Sequence, residues 1–184
     1  MNMRLDPSVK AIRVGLNWNS NEENVLDLDL SVFLLDDAYL ARGDGDYVFY
    51  NNAVSENGAV ELSGDDRRGE VDGVNESLFV DLEKIPDRIS KLVFCVTFDD
   101  SDGDHIFGEA KSAVLTVNAV TDTFDKGGVP FCSVDLAQHC PQSSGMAVLE
   151  LGRGEEGWEY SVICESVDFG ITELCSRYGL AVED

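Results

Sequence analysis

Short apolar runs rich in β-branched and aromatic residues recur along the chain, each broken off by Gly, Asp or Asn. The runs that read as strands are KAIRVGLNW (10–18), LDLSVFLL (28–35), YVFYN (47–51), GAVELS (58–63) and ESLFVDL (76–82). They continue with KLVFCVTF (91–98), SAVLTVNAV (112–120), PFCSVDL (130–136), MAVLELG (146–152) and GWEYSVIC (157–164). Many short strands at roughly regular spacing, with few helical stretches between them, predict a β-sandwich and not βαβ units. One segment has the other period. In FGITELCSRYGL, the residues Ile171, Leu174, Cys175 and Tyr178 fall on one helical face, and Gly179 follows as a stop. A shorter helical turn is expected near Ile106–Lys111, and DTFDKGG (122–128) reads as a hairpin connection. With no repeat, linker or low-complexity tract, residues 1–184 are expected to form one domain. That domain is mainly β: a two-sheet β-sandwich with a short C-terminal α-helix.

Two stretches depart from the apolar pattern. In DLDLS (27–31), alternation along an extended strand points Asp27, Asp29 and Ser31 one way and Leu28, Leu30 and Val32 the other, into a core. Two carboxylates so placed at a strand entrance converge at the rim of a sandwich. The second stretch, GDDRRGEVDGVNE (64–76), has neither period and joins two consecutive strands. Asp65 and Asp66 follow one strand; Asp72, Asn75 and Glu76 precede the next. Gly64, Gly69 and Gly73 let the backbone turn so that carbonyls can point inward. This segment is either a solvated surface loop or a seat for a cation. A hard divalent ion takes six to eight oxygens, and the loop together with Asp27 and Asp29 offers enough for one site or two. Without an ion, two unit charges about 4 Å apart repel by roughly 4 kcal/mol at an effective dielectric of about 20. Calcium tolerates irregular geometry better than magnesium does, and the lack of soft ligands nearby argues against zinc or copper.

Composition sharpens that choice. Lys plus Arg number 13 against 36 Asp plus Glu, a formal net charge of −23 spread along the chain. Such a field repels phosphate backbones, so no nucleic-acid partner is expected, and it repels anionic membrane surfaces for the same reason. The N-terminal MNMRLDPSVKAIRVGLNW holds no long apolar run, so no secretory signal is expected, and no stretch is long and apolar enough to span a bilayer. The 5 cysteines contain no CxxC pair, which predicts free thiols and a cytoplasmic location.

The order of motifs resembles the TerD family of tellurium-resistance and stress proteins. The matching pieces are VGLNW (14–18), DLDLSVFLL (27–35), GDYVFYNN (45–52), GDDRRGEVDGVNE (64–76), VDLEKIP (80–86) and KLVFCVTF (91–98). FGEA (107–110), VDL (134–136), GMAVLELGR (145–153), GWEY (157–160) and SRYGL (176–180) follow in the same order. The resemblance implies a calcium-binding sandwich that is not an enzyme. It also implies a role in resistance to tellurite and other chemical stress, alongside other proteins of a stress-resistance complex, with peripheral membrane association through such a partner. The implied ligands are Asp27, Asp29, Asp65, Asp66, Asp72 and Glu76, with a backbone carbonyl from Gly69, the Asn75 amide, and a contribution from Asn51 or Asn52. Some positions depart from the family. Asn19 stands where an Asp usually follows Trp18, Val74 and Asn75 replace two Asp, and Arg68 replaces a Thr. These changes remove charge, so binding is expected but not two full-strength sites. The alternative is a calcium-independent acidic interaction scaffold with partly decayed sites.

Other candidates carry less. FDDSDGDH (98–105), with no flanking helix pair, reads as a solvated hairpin end and not an EF-hand, although Asp100 matches an acidic family position. Cys132, His139 and Cys140 fit no common zinc spacing. Strand and helix positions predict buried, inert thiols. With His105 and His139 the only histidines and no phosphate loop present, neither nucleophilic catalysis nor nucleotide hydrolysis is indicated.

Overall fold

In a computed structural model of the chain, the fold is described for residues 1–20, 23, 25–63, 75–99, 104–122, 125 and 127–181. Among the described residues, eleven strands build two antiparallel sheets. In chain order they are β1 (Met3–Arg4), β2 (Ala11–Asn19), β3 (Leu28–Leu35), β4 (Tyr47–Val48), β5 (Val60–Ser63) and β6 (Glu76–Asp81), then β7 (Lys91–Phe98), β8 (Ser112–Val120), β9 (Val129–Asp135), β10 (Gly145–Gly154) and β11 (Gly157–Ser166). The six-stranded sheet runs β1-β11-β10-β7-β3-β4 and the five-stranded sheet β5-β6-β2-β8-β9. A four-residue helix α1 (Leu136–His139) follows β9, and α2 (Gly170–Arg177) closes the described fold. The expected sandwich and C-terminal helix are both present.

Burial shows why β3 reads as a nearly continuous apolar run. Leu28, Leu30, Val32 and Leu34 enter the core between the sheets, with Phe94, Val96, Leu16 and Leu78. Phe33 and Leu35 face the other way and join Val93, Cys95 and Ala147 beneath Leu174, Cys175 and Tyr178 of α2 and its C-cap. A strand covered on both faces loses the polar half of its alternation.

The helical face of α2 is the one expected, and Gly179 takes φ +79°, a conformation that favours glycine. At its other end Glu173 reaches back to accept from the Asp168 and Phe169 N–H groups at 2.8 and 3.2 Å. These bonds, with Arg177 adding to them, hold the Glu173 carboxyl below its usual value.

Some local expectations differ from the structure. The strand expected over 47–51 stops at Val48, because Phe49 and Asn52 form a tight bridge and Asn52 Nδ2 donates to Tyr47 O (2.8 Å) and Asp44 O (3.1 Å). The end of PFCSVDL is the start of α1, capped by Asp135, whose Oδ1 accepts from Gln138 N. Two-residue β1 is too short to leave a periodic signal. The turn expected near Ile106–Lys111 is a 3-10 turn at Phe107–Glu109, and β8 and β9 pair as the hairpin reading of 122–128 requires. Of the thiols read as buried, Cys95 and Cys175 are, whereas Cys132, Cys140 and Cys164 are half-exposed.

At one end of the sandwich Asp46, only 2% exposed, accepts from both Arg88 nitrogens (2.8 and 2.7 Å) and from Arg42 N at 3.0 Å. Arg88→Ala strands that buried carboxylate and is expected to cost about 3 kcal/mol in urea unfolding. For α2, Glu173→Gln is expected to lower stability at neutral pH. A carboxyl held below its usual value contributes stability above that value and loses it as pH falls through the folded one. The gap between wild type and variant in thermal melts is therefore expected to close in acid.

Candidate functional site

Where the acidic segment 64–76 ends, its last residue turns inward. Glu76 opens β6 on the five-stranded sheet and is 2% exposed. Its Oε2 accepts from the Leu30 N–H at 2.6 Å, on β3 of the opposite sheet. β4 pairs only with Val32 and Phe33, so this stretch of β3 lies past the end of β4, and the carboxylate takes the backbone donor there. A carboxylate accepting from a buried N–H makes one of the stronger hydrogen bonds in a protein.

The neighbouring residue is held as firmly. Asn75, 4% exposed, accepts from Trp18 N through Oδ1 at 2.8 Å and donates its own N–H to Leu16 O at 2.9 Å. Trp18 is fully buried, with Nε1 donating to Leu26 O at 3.0 Å. At the other end of the segment, Ser63 pairs with Ser77, and their hydroxyls lie 2.8 Å apart. Ser63 and Asn75, the described residues on either side of 64–74, are thus anchored at one place on the sandwich rim. Asp65, Asp66, Gly69 and Asp72 lie outside the described residues, as do Arg68 and Val74.

Asp27 and Asp29 stand at the entrance to β3, each half-buried. Asp29 is one residue from the Leu30 N–H that Glu76 binds and lies opposite Thr97 on β7. Asp27 O accepts from Asp99 N at 3.1 Å, which brings a further acidic residue alongside. The fold therefore gathers Asp27, Asp29, Asp99, Asn75 and Glu76 at one end of the molecule, from β2-facing and β3-facing segments far apart in sequence. Among the described residues no three His, Cys, Asp or Glu side chains converge tightly enough to hold an ion by themselves.

The face carrying Asp29 has a polar floor that the sequence reading missed apart from Ser31. Ser31 Oγ, Thr97 Oγ1 and Tyr47 OH are buried with no hydrogen-bond partner among the described residues. Burial drives the Tyr47 phenol far above its ordinary value; the phenol faces Ser31, and the Asp29 charge adds to the rise. The signal was a hydroxyl at each of two positions in otherwise apolar strands, Ser31 in DLDLSVFLL and Thr97 in KLVFCVTF. It becomes meaningful only once β3 and β7 are known to pair.

The remaining candidates are spread out. Asp100 and Asp102 lie outside the described residues. His105 and Glu109 hydrogen-bond to each other at 2.7 Å beside an open cleft of about 360 Å³ lined by Asp99, Asp104 and Phe169. Asn19 Nδ2 donates to Ser112 Oγ at 3.1 Å, and Asn52 holds the turn after β4.

The TerD domain model matches residues 2–178. The chain belongs to the TerD domain family. A tellurium resistance protein TerD of Serratia marcescens is 33% identical over 177 residues, covering 95% of this chain and 90% of that protein. General stress protein 16U of Bacillus subtilis is 32% identical over 184 residues, covering 97% and 92%. Among solved structures, a homologue of the telluride resistance protein TerD from Streptomyces coelicolor A3(2) superposes with a TM-score of 0.75 at 17% identity, covering 91% of this chain and 95% of that one. That likeness bears on the fold. The chain is thus a TerD-domain member of a tellurium-resistance and stress-response family, and no helix among its described residues is long and apolar enough to cross a membrane.

Because Glu76 ties the sheets together with or without any ligand, Glu76→Ala is expected to cost about 2–3 kcal/mol in urea unfolding with chelator present, by leaving the Leu30 N–H unsatisfied. Glu76→Gln, which keeps an acceptor oxygen, is expected to cost less.

Proposed function

We propose that this TerD-domain protein is a cytoplasmic calcium-binding module of the stress response, acting by binding and not by catalysis. The observation that carries the reading is the Glu76–Leu30 bond, which seats the end of the 64–76 segment beside Asp29. The donors gathered there are carboxylates and amide oxygens, the chemistry a hard cation takes. Asp27, Asp29 and Glu76 would hold the ion with Asp65, Asp66, Asp72, the Gly69 carbonyl and Asn75. Bound calcium would offset carboxylate repulsion in a chain of net charge −23 and so fix the rim in one shape. That ordered rim is the surface offered to other proteins of a stress-resistance complex, and a partner of that kind would carry any peripheral membrane attachment. All 5 cysteines are free, in keeping with a reducing compartment.

A second reading is a calcium-independent acidic scaffold. Asn19 and Asn75, neutral at two positions where the family favours Asp, are committed to Ser112 and Trp18. That observation favours sites that have exchanged ligands for structural hydrogen bonds.

Calorimetric titration separates the two. Calcium is expected to bind and magnesium to bind far more weakly. At one hundred times Kd, calcium should add about 2.7 kcal/mol of stability, read as a higher melting temperature. Asp29→Asn is expected to weaken calcium binding at least about tenfold, the loss of roughly 1.4 kcal/mol. No heat and an unchanged melting temperature with either ion would overturn the calcium reading and leave the scaffold.

A further inference from the structure

On the side of the molecule where edge strand β9 of one sheet meets β11 of the other, three thiols share a seam. Cys132 lies on β9, Cys140 follows α1, and Cys164 lies on β11; all three pack against the core between the sheets. The β9–β11 approach is direct: the Phe131 and Tyr160 rings meet edge to face with centroids 5.0 Å apart, and Tyr160 OH donates to Phe131 O.

A backbone irregularity sets the position of Cys164. The β10–β11 register shifts between Ala147, opposite Glu165, and Leu149, opposite Val162, so β11 carries an extra residue there. Cys164 sits in this bulge at φ +47°, a left-handed conformation that is costly for a residue with a Cβ. Bulges re-aim side chains, and Ile163 packs under α2 while Cys164 turns to the opposite face. The turn after α1 is fastened alongside. Ser143 N donates to Cys140 O, the Ser143 and Ser166 hydroxyls lie 2.6 Å apart, and Val167 N donates to Gly145 O. Residues 140–145 and 164–167 therefore run side by side.

We infer that Cys140 and Cys164 form a reversible intramolecular disulfide when the cell becomes oxidising, stapling the turn after α1 to the β11 bulge. Both side chains pack on one stretch of the core where residues 140–145 and 164–167 run side by side, and burial together with the Cys140 thiol pushes Cys164 up to about 11. Both are half-exposed, so a small reagent can reach them. The other thiol pair in the fold, Cys95 and Cys175, is buried beneath α2.

The oxidant is a low-molecular-weight disulfide. The Cys140 sulfur, losing its proton to water, attacks one sulfur of the reagent; its S–S bond breaks, and one small thiol leaves. Cys164, protonated at neutral pH, then gives up its proton as its sulfur attacks the mixed disulfide at Cys140, releasing the second small thiol. The protein loses two electrons and two protons, and the reagent gains both.

The test is to equilibrate the whole protein with oxidised glutathione, alkylate the remaining thiols and map the peptides by mass spectrometry. The expected result is one cross-link, Cys140 to Cys164, within a monomer, with three alkylated cysteines and full reversal by dithiothreitol. Cys164→Ser is expected to stop at a glutathione adduct on Cys140. Alkylation of all five thiols, or a cross-link joining any other pair or two chains, would overturn the inference.

Discussion

Glu76 is a carboxylate placed where carboxylates are seldom found, 2% exposed between two sheets. Burying that charge is tolerable because its oxygen takes the Leu30 N–H, a backbone donor that strand pairing leaves over where β4 has ended. One hydrogen bond thereby satisfies a donor of β3, anchors the start of β6, and fixes where the acidic segment 64–76 returns to the fold. Asp27, Asp29 and Asp99 sit around that same end, because Asp29 lies on β3 beside the bonded residue, while Asp27 just before β3 and Asp99 just after β7 are joined by a backbone hydrogen bond.

The same rim shows how a neutral substitution changes a role. At two positions where the resemblance implied Asp, Asn75 and Asn19 hydrogen-bond to Trp18 N and Ser112 Oγ. An amide can accept from a backbone N–H without the desolvation cost of a carboxylate. The rim thus keeps its shape while losing charge, and the remaining carboxylates carry whatever cation affinity the chain has. The buried hydroxyls of Ser31, Tyr47 and Thr97, without a hydrogen-bond partner among the described residues, add a polar strip to the face that bears Asp29.

The thiol seam lies elsewhere, across the open side of the sandwich, and it draws on a different kind of backbone feature. A bulge with a left-handed cysteine is an expensive way to continue a strand, and here it sets Cys164 against the core on which Cys140 also packs. The acidic rim and the thiol seam are chemically separate features: oxygen donors suit hard cations, and thiols respond to oxidants.

Sandwich architecture, strand positions and the helix at 170–177 were legible from periodicity, because alternation and the three-to-four spacing are local properties of a chain burying one face. The acidic constellations were legible as residue types, and so was the alternation that sets Asp29 and Ser31 opposite Leu30. What the sequence alone left open was everything that depends on which strands pair and which sheets face: that Glu76 is buried and bound to β3, that Asn75 serves Trp18, that Thr97 and Tyr47 complete a polar floor with Ser31, and that Cys140 and Cys164 pack on one seam. Those residues lie from 16 to more than 50 positions apart, on strands whose neighbours are fixed by topology, and no local pattern encodes which N–H a strand end leaves unpaired.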